Sequence, residues 1–254
     1  GVYTTKSEFL LQEIQAIMGD KVRNKWVSEV MGFIERYRYL DSDAINPYPK
    51  IINLENCMLD WENNIIYTHD PKFLSTLRIP VKYDPNAECP HFQQFLDEAL
   101  LPGDHETLLQ FIGSCLYPVQ KFRKALILIG KPRTGKSTLL DVIERLIGEA
   151  NCSNIPLQEL DENRFKRAGL YGKSINIFSD LDYRSVQNSS YFKACVSGDK
   201  IDAEHKGGEP FYFRCISKFM FSTNQLPKSF DKTPAYADRW IILSMENQIS
   251  ADKM

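Results

Sequence analysis

A short glycine-rich segment holds the residues whose types and spacing most clearly indicate chemistry. It reads Gly-x-x-x-x-Gly-Lys-Ser from Gly130 to Ser137. The apolar run 125–129 before it predicts a buried strand, and apolar residues at helical spacing over 137–146 predict a helix. A strand, this loop and a helix together form a P-loop of the Walker A type, which wraps backbone N–H groups around phosphates. The sequence therefore predicts binding of ATP or a related nucleotide.

Individual positions in this loop have separate expected tasks. We expect Gly130 and Gly135 to let the backbone bend around the phosphates. Lys136 would place its charge on the β- and γ-phosphates, and Ser137 would offer its hydroxyl to Mg²⁺. The expected nucleotide-binding residues form one continuous run: Gly130, Lys131, Pro132, Arg133, Thr134, Gly135, Lys136, Ser137 and Thr138. The simpler alternative is a glycine turn at the start of a helix.

Two carboxylates follow a second predicted strand. The segment "KSINIFSDLD" ends in Asp180 and Asp182. One carboxylate is expected to hold Mg²⁺ and the other to polarise the attacking water. Asp180 is favoured as the metal ligand because it directly follows the strand, but the division of roles between the two stays open. The alternative is a polar loop after a strand.

Two further residues stand at the ends of later strands. The strand "KFMFSTN" finishes in Asn224, which is placed to orient water or sense the γ-phosphate, or simply to form the turn before Pro227. Arg239 precedes the apolar strand 240–243. It either pairs locally with a carboxylate or reaches the ATP of a neighbouring subunit as an arginine finger.

A predicted β-hairpin lies between the Asp180 strand and the Asn224 strand. Residues 200–205 and 210–213 alternate in polarity, and "KGG" separates them. Gly207 and Gly208 are expected to supply positive φ angles in the turn. Lys206 then lies at the hairpin tip beside His205. The position of the hairpin between these two strands would let the nucleotide state move it.

The whole-chain composition restricts the class of protein. The chain has 254 residues, 43% of them hydrophobic, and a formal charge of −2, which excludes a disordered chain and a protein coated in basic charge. No apolar stretch reaches the length of a membrane helix, and the first residues do not resemble a signal peptide. Six cysteines without a Cys-x-x-Cys pair favour reduced thiols and a cytoplasmic location in a host cell. A first residue other than Met suggests a fragment.

The order of predicted elements divides the chain near residue 118. Residues 1–118 predict a mainly helical domain with a small β-hairpin within 51–69. Residues 119–254 alternate strands and helices, which is typical of an α/β domain with a central, mostly parallel sheet.

Several of these motifs together carry a family resemblance. "GKPRTGKST", "INIFSDLD", "SGDKIDAEHKGGEPFYF" and "FSTNQLP…DRW" resemble the superfamily 3 helicases, above all the primase–helicases of phages, plasmids and poxviruses. This part of the resemblance covers about 119–245. The preceding segment "INLENCMLDWENNIIYTHDP…IPVKYDPNAECPHFQQFL" is similar to the domain before the helicase in that family.

The resemblance implies a fold, an assembly and an activity. The fold would be an AAA+-like ATPase with the loop, acidic and sensor strands near the centre of its sheet. Subunits would form a ring, expected to be a hexamer, that hydrolyses ATP and moves along single-stranded DNA in the 3′-to-5′ direction. Lys206, with His205, would match the DNA-gripping pore hairpin, Asn224 the sensor asparagine and Arg239 the arginine finger. Primase or replication-initiator domains or proteins would be its partners.

Two departures from the family pattern and two alternatives remain. Thr134 stands where the nearest members often have Asn, and Ser179 stands where many have a second acid, which leaves the catalytic base open. The first alternative is an ATP-driven DNA-binding switch or loader that does not unwind. The second is a monomeric nucleotide kinase or GTPase, against which the sequence lacks an Asn-Lys-x-Asp guanine motif.

Overall fold

The computed structural model describes residues 7–37, 44–182 and 186–248, and these divide into two compact units. The first unit comprises the described residues up to 48 together with 70–76. The second comprises 49–69 and the described residues from 77 onward. Among the described residues, no helix combines the length and the apolar character needed to cross a membrane.

The first unit is built mainly from two helices. They are α1 (Ser7–Met18) and α2 (Asn24–Tyr37), joined by a 3₁₀ turn at Gly19–Lys21. Ile14 is buried, whereas Ile17, Trp26 and Val30 are exposed. The helical spacing of the apolar residues in 20–37 predicts that Trp26 and Val30 face inward, and for these two the prediction is wrong, because each helix of a two-helix pair buries only the stripe that meets its partner.

A three-stranded antiparallel meander opens the second unit. Its strands are β1 (Ile51–Asn53), β2 (Met58–Asp60) and β3 (Ile65–Tyr67), in that spatial order. The Asp60 carboxylate accepts hydrogen bonds from the N–H groups of Glu62 and Asn63, which closes the turn between β2 and β3. The sequence predicts a small hairpin or a meander in 51–69, and the structure shows the meander. Helices α3 (Pro90–Ala99) and α4 (Pro102–Ser114) follow, where the sequence predicts helices at about 91–101 and 104–117.

The remaining elements form a five-stranded parallel sheet, its helices and a separate hairpin. In chain order they are β4 (Ala125–Ile129), α5 (Lys136–Ile147), β5 (Cys152–Ser153), α6 (Leu157–Glu162), α7 (Arg164–Arg167), β6 (Ile175–Phe178), α8 (Ser190–Ser197), β7 (Lys200–Glu204), β8 (Pro210–Arg214), β9 (Lys218–Thr223), α9 (Pro234–Ala237) and β10 (Trp240–Ser244). The sheet order is β10-β4-β9-β6-β5, with every neighbouring pair parallel. This confirms an α/β domain with a parallel central sheet, preceded by a smaller helical region.

The sheet is covered on both faces. Along β4, Leu126 and Leu128 join one hydrophobic cluster, whereas Ala125 and Ile127 join another on the opposite face. Burial on both sides explains the continuous apolar run of β4, since neither face of the strand meets water. The first cluster also contains Leu96 and side chains of α4, so residues on both sides of position 118 share it. The predicted division of the chain at 118 stays a prediction.

Candidate functional site

One cleft lies at the carboxyl edge of the parallel sheet, where β4, β6 and β9 end side by side. The register pairs Ile129 with Thr223 and Phe178 with Phe221, so the segments that follow these three strands meet. The cleft has a volume of about 440 Å³. The residues that line it come from these segments and the first turn of α5: Pro132, Arg133, Thr134, Gly135, Lys136, Ser137, Thr138, Ser179, Asp180, Ser222, Thr223 and Asn224.

The glycine-rich loop needs its two glycines for different reasons. Gly135 has a φ of +87°, which an L side chain rarely adopts, and it leads directly into α5. Gly130 has no positive φ, but a Cβ there would lie 2.1 Å from the carbonyl oxygen of Met245. Thr134 is buried and donates to the carbonyl of Lys131 at 3.0 Å. That hydrogen bond closes the loop on itself.

The Lys136 ammonium is held inside this loop. Its Nζ donates to the carbonyl oxygens of Gly130 at 2.6 Å and Lys131 at 2.8 Å. Burial lowers the pKa of Lys136, and the negative charge of Asp180 acts in the opposite direction. The backbone oxygens therefore orient the charge at the cleft wall, where it can also meet an anion.

The end of β9 positions Asp180. The Asp180 backbone is left-handed, with a φ of +56°, and its N–H donates to the hydroxyl of Ser222 at 3.3 Å. The next N–H, that of Leu181, donates to the Ser222 carbonyl at 2.7 Å, and the Thr223 hydroxyl donates to the Leu181 carbonyl at 2.9 Å. These contacts turn the Asp180 side chain into the cleft. Ser222 and Thr223 were not predicted as site residues, although two polar residues at the end of an apolar strand are a signal that the sequence contains.

The structure brings only some of the predicted catalytic residues together. Lys136, Asp180 and Asn224 all line the cleft. Asp182 is not among the lining residues; it is half-buried, and its carbonyl accepts from Gln158 at 3.4 Å. The two carboxylates of the "SDLD" segment thus occupy different surroundings, and Asp180 is the one placed beside Ser137.

Arg239 lies at the amino ends of the parallel strands, at the end of the sheet opposite the cleft. It directly precedes β10, and its carbonyl accepts from the N–H of Ala125, the first residue of β4. The five residues of β4, at roughly 3.3 Å per residue, separate the amino end of the strand from the cleft by about 16 Å. The guanidinium instead donates to the Ser197 hydroxyl at 2.9 Å, while its Nε is buried without a hydrogen-bond partner among the described residues.

The hairpin of β7 and β8 presents Lys206 at its tip. The N–H of Gly208 donates to the carbonyl of His205 at 2.8 Å, and Gly207 has a φ of +78°. We expect a positive φ at Gly208 as well, and this prediction is wrong. In a four-residue turn of type II, only the third residue needs a positive φ, and here that residue is Gly207. Lys206 is exposed, and the His205 ring stacks on Phe211 with ring centroids 5.0 Å apart.

A charged network fixes the middle and the turn end of β7. Arg167 is buried, and its guanidinium donates to the carbonyl of Asp202 at 3.0 Å and to the Asp202 carboxylate at 2.9 Å. The Tyr191 hydroxyl donates to the same carboxylate, and this hydrogen bond and Arg167 lower the pKa of Asp202. Arg164 pairs with Glu204 at 2.9 Å. No local pattern in the sequence indicates this network, since Arg167 and Asp202 are 35 positions apart.

Comparison with known families gives two matches along the chain. Residues 4–101 match the family described as D5 N terminal like. Residues 128–239 match a family of unknown function, DUF5906, and this range contains the cleft and the hairpin. No curated protein matches the chain in sequence.

Solved structures show the same fold at low sequence identity. The A form apo structure of the NrS-1 C-terminal region superposes with a TM-score of 0.57 at 16% identity, over 89% of this chain and 56% of that one. A second A form apo structure, of NrS-1 residues 305–718, gives 0.53 at 17% identity, over 89% of this chain and 55% of that one. A further apo structure of the same region also gives 0.53, at 16% identity, over 89% and 56% of the two chains. This chain therefore spans little more than half the length of these solved chains.

Proposed function

We propose that this chain is the ATPase part of a ring-forming DNA helicase that moves 3′-to-5′ along single-stranded DNA during replication of a phage, plasmid or other mobile element. The observation that supports it most directly is the meeting of Lys136, Asp180 and Asn224 in one cleft at the carboxyl edge of the sheet. A lysine from a glycine-rich loop, a carboxylate and an amide in this arrangement suit hydrolysis of a nucleoside triphosphate.

The cleft fits the triphosphate of ATP. Helix α5 begins at Lys136 behind a glycine, so the N–H groups of its first turn have no side-chain cap and are available to an anion. The Lys136 ammonium, now held by two loop carbonyls, would turn toward the β- and γ-phosphates. Asn224 would orient the attacking water or sense the γ-phosphate.

The cleft also fits Mg²⁺. Ser137 and Asp180 are both exposed and line the cleft, and hydroxyl and carboxylate oxygens are the ligands this ion prefers. When bound, the ion neutralises phosphate charge. Ser137 and Asp180 would hold it directly or through water, while Asp182 would act from outside the cleft or, as a base, only after the segment moves.

The place of Arg239 supports an assembly of subunits. This arginine is about 16 Å of strand away from the cleft of its own chain. In the proposed ring, expected to be a hexamer, Arg239 would leave Ser197 and stabilise charge on the ATP bound to the neighbouring subunit. Each site would then be complete only at a subunit boundary.

The hairpin is proposed as the DNA contact. It lies in the chain between β6, which precedes Asp180, and β9, which precedes Asn224, so both of its ends connect to walls of the cleft. Its tip presents Lys206 and His205 to solvent, where they would contact the phosphates of one DNA strand. Primase or initiator domains would be supplied by other parts of the protein or by partners.

The first test measures ATP hydrolysis with and without single-stranded DNA over a range of protein concentrations. A translocating ring predicts stimulation by DNA and a rate per subunit that rises as subunits assemble. Lys136→Ala is the control that should remove the activity under every condition. A hydrolysis rate per subunit that changes with neither DNA nor protein concentration would instead indicate a nucleotide enzyme whose site is complete within one chain.

A second test separates the helicase from an ATP-driven switch or loader. The hairpin and the cleft would serve either function, because both need DNA binding that responds to the nucleotide. Strand displacement from a duplex with a 3′ single-stranded tail supports the helicase. ATP-dependent assembly on DNA without strand displacement supports the switch or loader.

A further inference from the structure

A second surface of the hairpin, away from its tip, combines positive charge with an exposed aromatic ring. We define the outer hairpin face as Lys200, Tyr212 and Arg214. All three are exposed, and Tyr212 is 67% exposed. Ile201 and Phe213, the next residues along the two strands, are buried on the opposite face. The alternation of the strands thus places the three side chains together on the solvent side.

The two cations of this face stand opposite each other. The register pairs Lys200 with Arg214 across the hairpin, and like charges in that position destabilise a strand pair. Neither forms an ion pair with any residue that the structure describes. The two carboxylates within β7, those of Asp202 and Glu204, are already bound by arginines of α7. The face therefore keeps uncompensated positive charge, which suits an anionic partner.

The aromatic ring lies between these charges and the tip. Tyr212 pairs across the hairpin with Asp202, whose carboxylate is fixed by Arg167 and Tyr191. The Lys200 ammonium lies 6.0 Å from the Tyr212 ring centroid. An exposed ring on an anchored strand, next to cations, suits one ligand class especially well: single-stranded nucleic acid offers unpaired base faces and phosphates together.

We propose that the outer hairpin face binds single-stranded DNA by stacking a base on Tyr212 while Lys200 and Arg214 contact the flanking phosphates. This inference rests on the proposed DNA-binding function of the hairpin, but it concerns residues other than the tip. It gives a physical reason for a preference for single strands, because in a duplex the bases are stacked on each other and do not offer their faces to a side chain. It also predicts little sequence preference, since every base has a face to stack.

The test measures binding of a fluorescently labelled thymidine 20-mer by anisotropy over a range of salt concentrations. Tyr212→Ala should weaken binding about tenfold and leave the salt dependence unchanged, because it removes stacking and no charge. Tyr212→Phe should bind like the original protein. Replacing both Lys200 and Arg214 by Ala should lower the slope of log affinity against log salt by about 1.4, for two lost contacts to single-stranded phosphates.

An abasic oligomer of the same length separates stacking from charge. The original protein should bind it about tenfold more weakly than the thymidine oligomer, and Tyr212→Ala should bind the two equally. Phe122→Ala and Lys82→Ala are matched controls, since both replaced side chains are exposed and lie outside the hairpin. Because Tyr212 is largely exposed, its replacement should leave the melting temperature nearly unchanged.

The outcomes distinguish this inference from the function on which it rests. If Lys206→Ala weakens DNA binding and Tyr212→Ala does not, the proposal that the outer hairpin face binds DNA is overturned, while the proposed DNA binding by the hairpin tip stands. If the original protein shows no affinity for single-stranded DNA even at low salt, both are overturned. If a poly-glutamate peptide requires Lys200 and Arg214 while DNA does not, the face binds an acidic protein segment and the proposal fails.

Discussion

The backbone N–H of Ala125 donates a 2.7 Å hydrogen bond to the carbonyl of Arg239, which places this arginine at the start of the strand whose far end leads into the glycine-rich loop. Each chain therefore has its cleft at the carboxyl ends of the parallel strands and Arg239 at their amino ends. In a ring of identical subunits, that separation would let one chain supply the arginine for the site of the next.

Mixing two inactive variants tests this arrangement. Arg239→Ala and Lys136→Ala should each lose ATP hydrolysis, but a mixture should recover part of it, because some boundaries then combine an intact cleft with an intact arginine. The measurement is the hydrolysis rate at constant total protein while the ratio is varied, with a maximum expected near equal amounts. A mixture no more active than its two components would indicate a site made within one chain.

Removing the charge at the hairpin tip should separate ATP hydrolysis from unwinding. Lys206 is exposed and is not among the residues that line the cleft, so Lys206→Ala should abolish strand displacement and leave basal hydrolysis largely intact. Both rates are measured on the same preparation, with Lys82→Ala as an exposed lysine control. Loss of ATP binding in Lys206→Ala would contradict the assignment of the tip to DNA.

Adding one methyl group at Gly130 should damage the loop. A Cβ there would meet the Met245 carbonyl oxygen at 2.1 Å, so Gly130→Ala must displace either the loop or the strand end. We expect a loss of about 1–3 kcal/mol in the free energy of unfolding and weaker ATP binding. The measurements are a denaturant titration and a nucleotide-binding titration.

Gly103→Ala is the matched control for this effect. A Cβ at Gly103 has no heavy atom within 4 Å, and Gly103 lies in α4 without a positive φ. This variant should keep or slightly raise stability and should bind ATP normally. Equal damage in both variants would show that the close approach at Gly130 is not the cause.

The buried Lys218 should make stability depend on pH. Burial lowers the pKa of Lys218 from 10.5 to about 8, while its ammonium donates to the carbonyl of Tyr117 at 2.7 Å. Between these two values Lys218 is more protonated in the unfolded chain than in the folded chain, so its own contribution to stability should rise with pH across that window. The gain is on the order of 3 kcal/mol for a shift of this size.

Urea denaturation at pH 7.5, 9 and 10.5 measures this dependence. Lys218→Met should remove the component of the pH dependence that belongs to Lys218, whereas Lys82→Met, at an exposed position, should retain it. A Lys218→Met curve parallel to that of the original protein over the whole range would show that Lys218 keeps an ordinary pKa in the folded state.

The sequence by itself determined the parts of this protein that depend on local order. The glycine loop, the apolar strands, the hairpin with Lys206 at its tip and the parallel sheet all follow from residue types at short, regular spacing. Such patterns are readable because a strand repeats every two residues and a helix every 3.6. The sequence also predicted the need for glycine at position 135, because that need depends on a local property of the chain, the positive φ of this residue.

Tertiary structure alone decided which of these residues meet. Contacts with two polar residues of β9 place Asp180, but not Asp182, in the cleft. The close approach of the Met245 carbonyl, 115 positions away in the chain, explains why residue 130 is glycine. The pairing of β10 with β4 places Arg239 at the amino ends of the strands, opposite the cleft. The tertiary structure also brought Arg167 to Asp202 and placed Lys200 opposite Arg214, and neither of these two cations pairs with a carboxylate of the described residues. The physical reason is that sheet order and strand register bring together residues far apart in the chain, and no local spacing encodes those contacts.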